Sequence, residues 1–144
     1  MLYSASLKNT LIGRLEHGSD LLEELNKICD KERITLGRIS GIGAVQKACF
    51  SYYNQEKHAY QYIVLEKKLE ILSLSGNISM KDGKPFVHAH IVLGDENGLT
   101  YGGHLSQQTL VFACEVIIDI LQGPSLNRVL DNTTQLSLWP KEIG

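Results

Sequence analysis

Apolar residues in this 144-residue chain follow two spacings, and a single stretch keeps the helical one. After Gly18-Ser19-Asp20 they fall at Leu21, Leu22, Leu25, Ile28 and Cys29, one face of an α-helix. Asp20 and Glu23 stand where a capping box needs its acceptor and its acid. Elsewhere the spacing is that of strands, over 11–15, 34–39, 47–53, 59–65, 69–80, 85–93, 99–103 and 109–121, with two short segments before Trp139. β-Branched and aromatic residues fill these runs and turn residues separate them. The pattern predicts an α+β fold. A central, mainly antiparallel sheet of about seven strands carries one main helix and short flanking helices, in a single domain over residues 1–144.

Two turns set the register of the middle of the chain. In Lys81-Asp82-Gly83-Lys84, Asp-Gly supplies the positive φ angles of a tight hairpin. With Asp82 and Gly83 at its centre, Met80 pairs with Pro85, Asn77 with His88 and Ser75 with His90. The next turn, Asp95-Glu96-Asn97-Gly98, admits several registers. A three-residue loop with Gly98 in the left-handed position sets His104 across from His90, whereas a two-residue Asn97-Gly98 turn sends it to the other face unless Gly102-Gly103 bulges.

Between these turns the alternation carries chemistry. Val87, Ala89, Ile91 and Leu93 are all apolar, while the intervening positions are Phe86, His88, His90 and Val92. Successive side chains in a strand point to opposite faces, so one face belongs to the core and the other carries two imidazoles roughly 6.5–7 Å apart at Cα. Such a His-x-His pair is a metal half-site. His104, following Gly102-Gly103, is the candidate third ligand, and three ligands with one open position is the arrangement of catalytic zinc. Ser75, Asn77, Gly102 and Gly103 are expected to line the same pocket. The competing reading makes the histidines hydrogen-bonded sheet residues and the Gly-Gly pair a bulge. His17 and His58, each isolated, take that structural role by default. Three histidines without a thiolate leave zinc, nickel, copper and iron open.

Composition narrows the remaining classes. Fourteen Lys and Arg against sixteen Asp and Glu give a net charge of −2, which offers phosphate no long-range attraction. The apolar runs are too short to cross a membrane, and nothing at the start of the sequence marks an export signal, so the expected setting is cytoplasmic. Cys29, Cys49 and Cys114 are odd in number and far apart, which points to buried small hydrophobes and away from disulfides or thiolate zinc. Ser40-Gly41-Ile42-Gly43-Ala44 lacks the rest of a dinucleotide fingerprint and reads as a tight turn. Glu115, inside an apolar strand, is open between a general base, a partner to a metal ligand and an exposed strand residue. No nucleophile elbow or Walker loop is present, and no catalytic residue is assigned.

Taken in order, Gly18-Ser19-Asp20-Leu21-Leu22, Gly41-Ile42-Gly43-Ala44, Glu70 to Asn77, Gly83 to His90 and Gly102-Gly103-His104-Leu105 resemble the PPC domain, a module of plants and prokaryotes. The resemblance spans nearly the whole chain. It implies a mainly antiparallel α+β fold, a trimeric assembly and, as in prokaryotic stand-alone members, a metal held by His88, His90 and His104. The AT-hook that precedes the domain in plant relatives has no counterpart here, nor does their Arg-rich interaction stretch, which stands where this chain has Lys84 to His90.

The expectation is therefore a homotrimeric, metal-binding protein with a divalent transition metal, zinc foremost, and a small-molecule ligand the sequence does not name. If the chain is an enzyme, hydrolysis by metal-activated water is the simplest chemistry. A DNA-binding or regulatory scaffold with structural histidines is the alternative. DNA is a doubtful partner, since a binder of this composition must gather Lys47, Lys57, Lys67, Lys68, Lys81 and Lys84 on one face. Assembly is expected because 109–121 is apolar on both faces, and one helix of about fifteen residues cannot cover a sheet twice.

Overall fold

The computed structural model describes residues 2–142. β1 (Ser6–Leu15) leads into α1 (Leu21–Lys31), followed by β2 (Gly37–Asn54), β3 (Ala59–Leu65), β4 (Leu69–Lys81), β5 (Lys84–Gly94), β6 (Thr100–Leu105) and β7 (Leu110–Gln122). Two short strands, β8 (Val129–Leu130) and β9 (Ser137–Leu138), pair with each other near the end. The seven longer strands form one antiparallel sheet in the order β1-β7-β2-β4-β5-β6, with β3 beside β2.

β2 organises this sheet because its two halves have different neighbours. Gly37 to Val45 pair with β4 on one side and β7 on the other. Further on, Ala48 to Asn54 pair with β3, while Phe50 and Ser51 also meet Leu105 and His104 of β6. The strands β2, β4, β5 and β6 thereby close on themselves. This continuity corrects the expected turn at Ser40 to Ala44, which lies inside β2. Glycine is needed there for packing: Gly43 has φ 149°, and a Cβ on it would sit 2.1 Å from the Ala113 carbonyl oxygen of β7. The register slips between Gly41 and Gly43, so the apparent turn signal is a bulge.

The helix begins as its sequence dictates. Asp20 accepts a hydrogen bond from the Glu23 amide at 3.0 Å, and its other carboxylate oxygen accepts from the Gln108 amide. The turn before it is stitched to β7 through Gly18 N–H to Val111 O and Val111 N–H to Ser19 O. Leu21, Leu25 and Cys29 are fully buried, and each leucine contributes about 1.5–3 kcal/mol of burial. With eleven residues α1 is shorter than expected, and among the described residues it is the one helix. The short flanking helices are a correction: the chain after β7 runs extended, and Met80 at the end of β4 bonds it through Met80 N–H to Leu126 O and Arg128 N–H to Met80 O. An available strand edge satisfies that backbone, and nothing there has a helical apolar period.

At the β2–β6 seam, a Cβ on Gly103 would lie 2.6 Å from the Ser51 carbonyl oxygen and 3.2 Å from the Phe50 ring. Gly13, by contrast, has nothing within 4 Å of that position. Gly103→Ala is therefore expected to cost about 1–3 kcal/mol in urea unfolding, and Gly13→Ala less than about 0.5 kcal/mol. Equal effects would show that the seam tolerates a methyl group.

Candidate metal centre

β5 alternates as its sequence requires. Val87, Ala89, Ile91 and Leu93 are buried beneath α1 and the sheet core, and Phe86, His88, His90 and Val92 lie on the other face. The Asp82-Gly83 hairpin holds Met80 across from Pro85, Asn77 across from His88 and Ser75 across from His90. The β5–β6 turn adopts the three-residue register, with Gly98 at φ 78° and the Gly98 amide donating to Asp95 O. Asp95 builds this loop. Its carboxylate accepts from the Asn97 and Leu99 amides at 3.0 Å, from Lys67 Nζ at 2.9 Å and from the Tyr101 hydroxyl at 2.9 Å. The Lys67 bond above all holds its pKa down at about 2.

His104 consequently stands directly across from His90, and β6 runs in unbroken register through Gly102 and Gly103. The glycines form no bulge; they admit close strand approach. One ligand nitrogen from each of His88, His90 and His104 lies within 4.8 Å of the others. Ring centroids are 5.0 Å apart for His88 and His104, 5.3 Å for His88 and His90, and 5.6 Å for His90 and His104. A tetrahedral ion bound at about 2.0–2.1 Å separates its nitrogen ligands by roughly 3.4 Å, so modest side-chain rotation closes the set.

The hydrogen bonds separate these three from the other histidines. His17 Nδ1 donates to the Phe112 carbonyl at 2.8 Å and His58 Nδ1 to the Thr134 carbonyl at 3.2 Å, as structural histidines do. The imidazole nitrogens of His88, His90 and His104 bond no protein group among the described residues. Three unpaired imidazoles on one sheet face suit a ligand set. Burial, and then the positive charge of His104, Arg128 and His90, lowers the His88 pKa to about 4. His104 is lowered too, by burial and then by His90 and Arg128. Both rings are thus neutral and able to ligate near neutral pH.

The histidines open into a cavity of about 590 Å³. Tyr53 and Tyr60 form one wall, with the Tyr60 ring 5.1 Å from His104, and Phe86 and Lys81 form another. The segment after β7 closes the third side with Arg128 and with Gln135 to Leu138. Gly103 lines this cavity. Asn77 stands behind that lining, where its side-chain oxygen accepts from Arg128 Nη2 at 2.7 Å. Ser75 and Gly102 are exposed outside it: Ser75 continues the His90 row toward β2, and Gly102, paired with Val92, lies further along the same face as His104. Glu115 is exposed in a separate groove beside Arg14. The three cysteines are buried, and burial raises Cys29 to about 12 and Cys114 to about 11, which keeps them as inert thiols. Sequence reasoning missed Arg128, Tyr53 and Tyr60, whose neighbourhoods carry no recurring spacing.

The sequence profile of the Plants and Prokaryotes Conserved (PCC) domain matches residues 3–122. The chain belongs to this family. Among solved structures, a metal-containing protein from Archaeoglobus fulgidus superposes with a TM-score of 0.93 at 42% identity, over 98% of this chain and 99% of that one. A plant- and prokaryote-conserved (PPC) protein from Pyrococcus horikoshii gives 0.92 at 38% identity, over 97% and 96%. A candidate DNA-binding protein from Bacteroides thetaiotaomicron gives 0.86 at 25% identity, over 96% of each chain. In sequence, 106 residues, or 73% of the chain, are 32% identical to the bifunctional protein GlmU of Synechococcus sp. (strain JA-3-3Ab), and the match spans 16% of that protein's length.

The lowered His88 pKa predicts a pH dependence for the metal-free protein. Unfolded His88 takes up its proton near 6.5, folded His88 near 4. Between these values the unfolded state binds more protons, so stability is full above about 6.5 and falls as pH drops through this window. Urea midpoints in chelator should follow that slope, and His88→Ala should flatten it; an unchanged slope in the variant would contradict the assignment.

Proposed function

We propose that this PCC domain is a homotrimeric metal-binding protein in which His88, His90 and His104 hold one divalent transition metal ion, zinc in the first instance. The observation that carries this reading is the meeting of three imidazoles, unpaired with protein and within 4.8 Å of one another, at the mouth of a cavity. The metal-containing name of the similar Archaeoglobus fulgidus protein supports it. Held by His88, His90 and His104, zinc would supply Lewis acidity and would lower the pKa of a bound water to about 7. A cavity of this kind suits hydrolysis or reversible capture of a small molecule. Its setting is the cytoplasm, and no described helix is long and apolar enough to cross a membrane.

The trimer is argued from the sheet. Ile12, Ile42, Leu72 and Ile117 are 47–78% exposed and line an open groove of about 720 Å³ with Arg14 and Glu115. Directly paired residues share a sheet face, and one such row runs Ile12, Ile117, Ser40, Ser75, His90, His104 and Ser51. The groove and the histidines therefore lie on the same face. An apolar surface of this extent is characteristic of an interface, and a subunit seated on it stands beside His90. Closed symmetry follows from such a surface, and the family resemblance selects three copies.

DNA binding is the second reading, favoured by the name of the Bacteroides thetaiotaomicron structure and of another candidate DNA-binding protein from Ralstonia eutropha, 26% identical with a TM-score of 0.81. It meets a net charge of −2, and two of the six candidate lysines are held by acids: Lys47 by Glu66 at 2.6 Å and Lys67 by Asp95 at 2.9 Å. Duplex affinity tighter than about 10⁻⁶ M at physiological salt would put this reading first.

Elemental analysis of the purified protein should find one metal ion per chain, and His88→Ala, His90→Ala and His104→Ala should each abolish stoichiometric uptake while the fold persists. Full occupancy in any of the three would remove that histidine from the ligand set. Light scattering should return three times the chain mass of 16.0 kDa. Ile117→Asp should lower it to one, and a wild-type monomer at micromolar concentration would defeat the burial argument.

A further inference from the structure

Arg128 is held by neutral partners and forms no ion pair among the described residues. Its backbone is fixed against the end of β4 by the bond to Met80 O at 2.8 Å. Nε donates to Ser79 Oγ at 3.0 Å, Nη1 to the Ser137 carbonyl at 2.9 Å and Nη2 to Asn77 Oδ1 at 2.7 Å. The rings of Phe86 and Trp139 flank the guanidinium, with centroids 5.3 and 5.7 Å from Cζ. It lines the histidine cavity and is half-buried. The ion pairs formed among the described residues engage Lys27, Arg38, Lys47 and Lys67, and none engages Arg128.

A half-buried cation is costly to keep without a counter-charge. Here five aligned contacts hold it in place regardless. A guanidinium has five N–H donors in a planar fork. Three are committed, which leaves one on each terminal nitrogen. The cavity lining contains no carboxylate at all, and its charged members are Arg128 and Lys81. Imidazole ligands bring no negative charge, so a divalent ion bound there would keep its full +2. Everything charged at this site is positive.

From this arrangement we infer that Arg128 is a specificity-determining residue, whose fork receives the oxyanion of a small organic ligand bound in the histidine cavity. The ligand class is a small carboxylate or phosphate ester, with an apolar body against Tyr53, Tyr60 and Phe86. Planar two-point recognition of carboxylate and phosphate is what the guanidinium does best. The inference rests on the metal reading for the second positive charge, while the Arg128 contact is independent of it.

The test uses the whole protein, stripped with chelator and reloaded with cobalt(II), whose visible absorption reports its ligands. Benzoate, phenyl phosphate and the neutral benzamide are the probes. Saturable spectral change is expected with at least one of the two anions and none with benzamide, and whichever anion binds identifies the oxyanion. Arg128→Gln should keep one cobalt per chain and weaken the anion about 10- to 100-fold. Arg128→Lys, which keeps the charge but loses the fork, should fall between; it also serves if the glutamine variant does not fold, as judged by circular dichroism. Equal anion affinity in the wild type and the folded variant would overturn the inference, as would benzamide binding as tightly as benzoate, or no binding of either anion. If the wild type takes up no cobalt, the metal reading fails on its own. Anion-dependent thermal stabilisation of the metal-free protein, lost in the Arg128 variant, then decides the role of Arg128 separately.

Discussion

The register of β5 against its two neighbours is the constraint on which the structure turns. Because a strand repeats every two residues, the placement that buries Val87, Ala89, Ile91 and Leu93 is also the one that sets His88 and His90 on the opposite face. A slip of one residue would push two imidazoles into the hydrocarbon core and four apolar side chains out of it. The stability of the core and the position of the ligands are thus one quantity. The hydrogen bonds gathered by Asp95 at the next turn extend the same register to β6, and so bring in the third histidine.

Electrostatics then gives the site its character. Burial keeps His88 and His104 neutral, and the cavity holds cations without acids around them. A pocket arranged this way disfavours protonation of these two rings and so leaves their nitrogens available as donors. Its tyrosine wall comes from the β2–β3 hairpin, the wall of Phe86 and Lys81 from the β4–β5 hairpin, and Arg128 from the segment after β7. Each wall therefore belongs to a different part of the chain.

That division explains what could be read from the sequence. The helix cap at Asp20, the hairpin at Asp82-Gly83 and the alternation from Phe86 to Leu93 are local, and local physics decides them. The turn after Asp95 stayed open because the bonds from Lys67 and Tyr101 that settle it come from outside the turn. The glycines of β2 read as a turn for the same reason: only the approach of Ala113 from β7 shows why a side chain is excluded. Arg128 had no local signal whatever. Its partners Asn77 and Ser79 lie on β4 and Ser137 on β9, and no spacing within its own neighbourhood records them.

The pairing of β1 with β7, Ser6 with Gln122, has a consequence for how the chain is made. The strands bearing the three histidines belong to a meander of consecutive hairpins from Leu69 to Leu105, and hairpins of that kind close within microseconds. The sheet that shelters them must wait for β7, which joins β1 to β2 and leaves the ribosome later. During synthesis the three imidazoles can therefore meet before the domain is closed, and a metal ion captured at that stage would guide folding as a template instead of arriving as a late addition to a finished protein.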